Sequence, residues 1–271
     1  MSADVLSKID EQLANELSEE ERERLLEEIE KDLAEPVRII GVGQTGVGKS
    51  TLLKSVFSIN EDDPEIPDWL EEGGTEETTK EFRSFQIETK EGFKVEFTDG
   101  PGLGASIERN EEVLPQWIEQ IPKHDMMYWV LDASSRDIAH IQRHMKKILD
   151  ETEYRNRIVV VLNKVDQIEL PPDQREAGEE QWNSKYNLPT DKLENQIEKR
   201  TDDIIEKFSE QVDISREQMV ACSALKRWNN DKFLDKLVDQ LPPEKRLKVL
   251  ASRDVKDFTE LMADNVKENF K

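Results

Sequence analysis

The sequence predicts an α/β fold of three layers, in which a mainly parallel sheet with one antiparallel edge strand lies between helices. Short runs of β-branched residues alternate with helix-like segments, which is the pattern of βαβ units. Two of these runs, MMYWVLD and RIVVVLNK, are apolar throughout, as strands buried on both faces are. Two others, FRSFQIET and FKVEFTD, flank Lys90-Glu91-Gly92 as a hairpin, which supplies the antiparallel edge strand.

The remaining elements follow in chain order. VRIIGV, which begins at Val37, is the first strand, and it leads through glycines into the helix-like STLLKSVF. The hairpin and the two buried strands come next, with helices between them and right-handed crossovers. A helix near 191–211 and a short late strand, MVACSA, complete the pattern. We predict one α/β domain over residues 36–242.

Residues 167–189 interrupt this alternation. They contain Pro171-Pro172, few aliphatic residues and no clear period, so we predict an inserted surface loop. Trp182 and Tyr186 are predicted to anchor the loop onto the domain rather than to form a binding platform.

Helical segments flank the domain on both sides. Residues 1–35 predict two amphipathic helices and hold 13 acidic and 4 basic residues, whereas residues 243–271 predict one amphipathic helix with 7 basic and 6 acidic residues. We expect these helices to pack on the domain. The alternative is an assembly or membrane-facing surface, although no polybasic face indicates a membrane.

Composition restricts the functions that the chain can have. The 61 acidic and 38 basic residues give a net charge of −23, which argues against broad nucleic-acid binding. The single cysteine, Cys222, excludes an internal disulfide and favours a reducing compartment, so we expect a cytoplasmic protein. No 18-residue apolar run or signal-peptide pattern occurs, so we expect neither a membrane span nor export.

The sequence GQTGVGKS has the GxxxxGKS pattern of a phosphate-binding P-loop and lies between a predicted strand and helix. Its glycines let backbone N–H groups converge on phosphate oxygens, Lys49 reaches the β and γ phosphates, and the Ser50 hydroxyl ligates Mg²⁺. Thr51 is expected to donate to the α-phosphate. The other predicted nucleotide contacts of this loop are Gln44, Thr45, Gly46, Val47 and Gly48.

Asp99-Gly100-Pro101-Gly102 follows the strand FKVEFTD and places a carboxylate at a strand end that faces the P-loop. Asp99 can hold Mg²⁺ through water. The N–H of Gly102 could bond the γ-phosphate, so the segment after it is expected to order with a triphosphate and relax after hydrolysis.

Asn163-Lys164-Val165-Asp166 follows RIVVVL and predicts a guanine-binding motif. The Asp166 carboxylate can accept hydrogen bonds from both N1–H and the 2-amino group of guanine, and adenine lacks those donors. Asn163 is expected to support the loop, and the Lys164 stem to cover the ring face. Ser223-Ala224 offers an N–H toward guanine O6.

In this order, GQTGVGKS, DGPG, NKVD and CSAL resemble the G1, G3, G4 and G5 motifs of the Ras-like translation-factor (TRAFAC) class of GTPases, over about residues 37–241. Within this class, the chain is most similar to the Era and septin branch, which includes bacterial YfjP-like GTPases with flanking amphipathic helices. The similarity lies in the GxTGxGKS motif, the DxPG motif and the hairpin that precedes it. The resemblance implies the P-loop NTPase fold and Mg²⁺-dependent hydrolysis of GTP to GDP.

The resemblance also implies a switch I threonine that ligates Mg²⁺, within a long acidic segment at about 58–80. Spacing favours Thr79, with Thr78 and Thr75 as alternatives. Lys49, Thr79 and Gly102 are therefore the candidate catalytic residues, and Ser50, Thr79 and Asp99 the candidate metal ligands. Leu103 stands where Ras-like switches carry a water-positioning glutamine, so slow intrinsic turnover is expected.

These motifs favour a cytoplasmic GTPase switch that is activated by a protein partner or by another copy of the chain. The alternative is a GTP-dependent self-assembling or scaffolding module, in which hydrolysis serves as a timer. A ribosome-associated assembly factor is a third hypothesis, but the charge of −23 would require a concealed basic patch for direct RNA binding.

Overall fold

The computed structural model of the chain describes residues 18–20, 23–24, 35–56, 81–88, 94–103, 107–135, 138–175, 180–209, 211–242 and 245. The predicted switch I threonine, Thr79, and its alternatives Thr75 and Thr78 lie outside these ranges, as do nearly all residues of the two flanking segments. The strands are β1 Val37–Gly43, β2 Arg83–Glu88, β3 Lys94–Asp99, β4 Met126–Asp132, β5 Ile158–Asn163, β6 Trp182–Asn183, β7 Leu188–Pro189 and β8 Met219–Ala221. The helices are α1 Lys49–Val56, α2 Ile107–Gln120, α3 Ala139–Thr152, α4 Asp191–Ser209 and α5 Asn230–Gln240.

Six strands form the main sheet in the order β2-β3-β1-β4-β5-β8. The β2–β3 pair is antiparallel, with Phe85 opposite Phe97, and the other neighbouring pairs are parallel. The predicted α/β fold, with a mainly parallel sheet and one antiparallel edge strand, is therefore confirmed. The late strand is shorter than the predicted MVACSA, because it ends at Ala221 and Ser223 only forms an isolated bridge with Trp228.

Alternate residues of the strands face two separate cores. Ile40 and Val42 of β1 pack in the core on one side of the sheet, which includes buried residues of α2, α3 and α4. Val37 and Ile39 pack in the core on the other side, with buried residues of α1 and α5. The apolar runs in β4 and β5 are explained by this arrangement, because strands covered on both faces bury nearly every side chain.

The insert at 167–189 is more regular than a simple surface loop. It contains the short antiparallel hairpin β6–β7, with Trp182 opposite Pro189, and leads into α4 close to the predicted helix start. Trp182 is buried in a core, as predicted. The prediction for Tyr186 is wrong: this side chain lies in the turn of the hairpin and is 62% exposed.

Candidate functional site

The predicted site residues that the structure describes lie at one edge of the sheet. Because β1, β3, β4, β5 and β8 are parallel, their carboxyl ends and the loops that follow them lie along the same edge. Ligands of open α/β sheets bind in the crevice at this edge. The strands end there at Gly43, Asp99, Asp132, Asn163 and Ala221.

The P-loop connects β1 to α1 in a conformation that requires glycine at two positions. Gly46 and Gly48 have φ angles of 77° and 91°, which lie in the left-handed region. A Cβ on Gly48 would lie 2.6 Å from Nδ2 of Asn163, so only glycine allows this approach. Thr45 is exposed on the outside of the loop, as is Thr51 in the first turn of α1, whereas Gln44 is half-buried and Val47 is buried.

Lys49 and Ser50 lie beneath this loop, beside Asp99. The Lys49 ammonium donates to the carbonyl oxygen of Gln44 at 3.4 Å, and burial lowers the pKa of Lys49 while the nearby Asp99 carboxylate opposes that shift. The Ser50 hydroxyl donates to Oδ2 of Asp99 at 2.7 Å. Ser50 and Asp99 thus present a hydroxyl and a carboxylate oxygen together, a donor set that fits Mg²⁺ because this ion takes oxygen ligands.

The turn after β3 is held against the P-loop. The N–H of Thr45 donates to the carbonyl oxygen of Leu103 at 3.2 Å. The N–H of Leu103 in turn donates to the carbonyl oxygen of Gly43 at 3.1 Å. A Cβ on Gly102 would lie 2.2 Å from Oγ1 of Thr45, so the contact requires glycine. On the other side, the indole N–H of Trp117 in α2 donates to the carbonyl oxygen of Pro101 at 3.1 Å. The turn therefore connects the P-loop to α2.

The Asn163 side chain joins the two predicted halves of the site. It is buried, and its Nδ2 donates to the carbonyl oxygen of Val47 in the P-loop at 2.9 Å. Its Oδ1 accepts the N–H of Ala224 at 3.0 Å, in the loop after β8. The phosphate loop and the loop expected to face guanine O6 are thus fixed relative to each other through one amide group.

Asp166 lies in the short 3₁₀ turn after β5, and one of its carboxylate oxygens, Oδ1, accepts the Ser223 hydroxyl at 2.5 Å. The same hydroxyl accepts the N–H of Lys226 at 3.1 Å, so Asp166 is oriented by a residue that is itself fixed. The neighbouring Cys222 is buried, and burial together with the Asp166 charge raises the pKa of its thiol well above the usual range. The thiol therefore stays protonated and is a poor nucleophile.

Asp132, at the end of β4, is a site residue that sequence reasoning missed. The Lys164 ammonium donates to Oδ2 of Asp132 at 2.8 Å and to the carbonyl oxygen of Gly46 at 2.7 Å. Burial raises the pKa of Asp132, but hydrogen bonds from Lys164 and Ser134 outweigh this effect and hold it below its ordinary value. The sequence did contain a signal for Asp132, because this carboxylate ends the apolar run of β4. β4 pairs with β5, and Asp132 is the register partner of Asn163 at the end of β5.

Comparisons with known proteins agree with this geometry. Residues 38–164 match the family described as 50S ribosome-binding GTPase. The uncharacterised proteins YkfA and YfjP of Escherichia coli K12 are 28% and 29% identical to the chain over 148 residues, or 54% of the chain. The chain spans about half the length of these relatives, with 48% of each covered.

The structure of LeoA, a bacterial dynamin GTPase from ETEC, is similar to the chain with a TM-score of 0.55. The two sequences are 16% identical, and the similarity covers 97% of this chain and 46% of LeoA. At this level of identity the similarity establishes a shared fold. Together with the family match over residues 38–164, the shared fold shows that this chain has the α/β architecture of GTPase G domains.

Proposed function

We propose that the chain binds GTP with Mg²⁺, hydrolyses it slowly to GDP and phosphate, and acts as a molecular switch. The observation that carries this proposal is the Asn163 amide, which holds the P-loop at Val47 and the loop after β8 at Ala224. A phosphate-binding loop and a guanine-reading carboxylate are thereby combined in one rigid site. The fold and the family match support the same reaction class.

Each part of the site has a distinct task in this proposal. The buried Lys49 ammonium and the P-loop N–H groups hold the phosphates, and Asp166 accepts hydrogen bonds from guanine N1–H and the 2-amino group. Ser50 and Asp99 would hold Mg²⁺, with Thr79 as a further proposed ligand. The ion would neutralise charge on the phosphate oxygens.

Slow turnover follows from the residue after Gly102. Leu103 is 1% exposed and fixed by its backbone to Gly43, so no polar side chain at this position can orient an attacking water. We therefore propose that a protein partner or a second copy of the chain completes the catalytic arrangement. A reducing cytoplasm suits the buried, unpaired Cys222.

The experiment that tests the base assignment compares GTP, ATP and xanthosine triphosphate as substrates, each with Mg²⁺. Replacing Asp166 with asparagine (Asp166→Asn) should weaken GTP binding roughly 100-fold or more, because one acceptor oxygen is replaced by an NH2 donor that faces a guanine donor, and the other acceptor loses its charge. The same variant should gain binding of xanthosine triphosphate, whose base has an oxygen at position 2. Asp173→Asn, an exposed carboxylate on the following loop, is the matched control. Equal turnover of ATP and GTP by the unmodified chain would contradict the proposal.

The dependence of turnover on protein concentration separates the two proposed sources of activation. If GTP turnover per molecule rises with concentration, copies of the chain complete one another's sites, and the self-assembling alternative is favoured. If it stays constant and slow, the activator is a different protein.

A further inference from the structure

A side chain of the inserted hairpin is bonded to the loop after β8, where the guanine base is expected to bind. Asn187 lies in the turn between β6 and β7, and its Nδ2 donates to the carbonyl oxygen of Lys226 at 2.7 Å. Lys226 follows Ser223-Ala224 in the loop after β8. The insert at 167–189 therefore contacts the part of the site that is expected to face the base.

The Asn187 amide is held in one orientation. Its Oδ1 accepts the indole N–H of Trp182 at 3.1 Å. Because an indole N–H can only donate and a carbonyl oxygen can only accept, these two partners assign Oδ1 and Nδ2 of the amide. Asn187 has a φ angle of 51°, a left-handed conformation in which asparagine is enriched. Asparagine therefore suits both the turn and the contact with Lys226.

An aromatic contact joins the hairpin to the same loop. Trp182 is buried in a core, and its ring meets that of Trp228 edge to face with centroids 5.9 Å apart. Trp228 and Ser223 close the loop after β8, because the N–H of each donates to the carbonyl oxygen of the other, at 3.0 and 3.1 Å. The hairpin thus holds this loop at its tip, through Lys226, and at its base, through Trp228.

Three hydrogen bonds connect Asn187 to the proposed guanine-reading carboxylate. The first is the bond from Asn187 to the carbonyl oxygen of Lys226. The backbone N–H of Lys226 donates to Oγ of Ser223 at 3.1 Å, and the Ser223 hydroxyl donates to Oδ1 of Asp166 at 2.5 Å. Ser223 is fully buried, so water does not compete for the bonds of its hydroxyl. The position of the Asp166 carboxylate therefore depends on where the hairpin holds Lys226.

We propose that Asn187 is a positioning residue for guanine recognition, and that the hairpin β6–β7 fixes the loop after β8 so that Asp166 is preorganised for the base. This inference rests on the proposed function and adds to it a role for the insert. Asn187 acts through Lys226 and Ser223, and its effect is on the selectivity for guanine. An acceptor that is already held in place binds the base at a lower entropic cost than a mobile one does.

The test measures binding of GDP and of inosine diphosphate to the full chain with Mg²⁺ by calorimetry. The base of inosine diphosphate keeps N1–H but lacks the 2-amino group, so it offers Asp166 one donor fewer. Asn187→Asp keeps an acceptor for Trp182 but loses the donor to Lys226. It should weaken GDP binding about 3- to 10-fold and inosine diphosphate binding less, because the loss acts through Asp166. The control Asn195→Asp, the same change at an exposed position of α4, should alter neither.

Two further variants separate positioning from a general loss of structure. Asn187→Gly removes both bonds of the amide but suits the left-handed backbone, so it should weaken GDP binding to a similar extent. Ser223→Ala cuts the connection between Lys226 and Asp166, so adding Asn187→Asp to it should have little further effect on GDP binding. Thermal unfolding without nucleotide measures the stability of each variant separately.

Three results would overturn the inference. These are unchanged GDP binding by both Asn187 variants, equal weakening of GDP and inosine diphosphate binding, and additive effects of Asn187→Asp and Ser223→Ala. Each of them leaves the proposed function intact, because the unmodified chain still binds GDP. Failure of the unmodified chain to bind GDP would instead contradict the proposed function, and the inference with it.

Discussion

Asp132 shows how one residue can support a site without being part of a recognisable motif. Its carboxylate holds the Lys164 ammonium, which also donates to the carbonyl oxygen of Gly46 in the P-loop. The Asp132 and Lys164 side chains are 18% and 27% exposed, so solvent screens this ion pair less than it screens a surface pair. Asp132 therefore positions Lys164, in the loop after β5, against the P-loop.

Replacing Asp132 with asparagine should accelerate GDP release about 3- to 10-fold, because Lys164 loses its charged partner but keeps the bond to Gly46. Release of a fluorescent GDP analogue measures this rate. The matched control is Asp150→Asn, which removes an exposed carboxylate that pairs with Lys146 on α3. Unchanged release by the Asp132 variant would show that Lys164 needs no charged partner.

The difference between Asp132 and the motif residues explains how much of the site was predictable. Gly46, Gly48 and Lys49 lie within a few residues of one another, so a local pattern reveals them. Asp132 comes near Lys164 only because β4 and β5 pair in a particular register. A single sequence does not encode that register visibly, so a local pattern could not assign Asp132 a role.

At the scale of elements, the long apolar strands, the late strand β8 and the long helix α4 were predictable, and the two-residue strands β6 and β7 were not. β5 is buried along its whole length, and its first five residues form an uninterrupted apolar run that Asn163 follows. β6 and β7 have two residues each, too few to show a period. The hairpin is determined instead by tertiary contacts such as the burial of Trp182, which local propensity does not report.

A chain of hydrogen bonds connects the end of α2 to β3 and β2. Nδ1 of His124 lies 3.0 Å from the carbonyl oxygen of Gln120, an acceptor, so Nδ1 carries the proton. Nε2 then accepts the Thr98 hydroxyl at 2.8 Å, and the Thr98 oxygen in turn accepts the Ser84 hydroxyl at 2.8 Å. In this arrangement the neutral ring accepts at Nε2, and protonation of His124 would reverse the direction of the hydrogen bonds at Thr98 and Ser84.

The burial of His124 predicts a loss of stability in mild acid. Burial lowers the pKa of His124 and outweighs the Gln120 carbonyl and nearby carboxylates, which raise it. As the pH falls below about 6.5, His124 therefore binds a proton in the unfolded state before it does so in the folded state. Stability from this residue is complete above that pH and is lost as the pH falls through the lower folded pKa, by up to about 1.4 kcal/mol per pH unit.

Urea unfolding between pH 7.5 and pH 5.5 measures this dependence, with pH values chosen to span the ordinary histidine pKa of about 6.5. The comparison variant is His124→Gln, which does not titrate and should show a smaller decrease in the free energy of unfolding over the same interval. Equal decreases in the two proteins would assign the acid sensitivity to other groups.

At the scale of the whole molecule, the surface charge is the dominant feature. A net charge of −23 on 271 residues produces mutual repulsion, which disfavours the compact state. In the part of the chain that the structure describes, no helix is both long and apolar enough to span a membrane.

Added salt should stabilise the chain. Raising NaCl from about 0.1 M to about 1 M shortens the screening length from about 10 Å to about 3 Å, so repulsion between acidic residues weakens. We expect the midpoint of thermal unfolding to rise by about 2–4 °C for each kcal/mol gained. Glu198→Gln/Glu206→Gln, at two exposed positions of α4, should reduce the effect. A midpoint that falls with salt would show that attractive ion pairs dominate.

The Asn163 amide has a consequence for how a nucleotide leaves. Because one side chain is bonded to both the P-loop and the loop after β8, neither loop can move far without disturbing the other. In the proposed GTP site, release of the base and release of the phosphates would thereby be linked into a single event. A regulator that pulled on either loop would loosen the grip on both ends of the nucleotide, so it could accelerate exchange without ever reaching the phosphates.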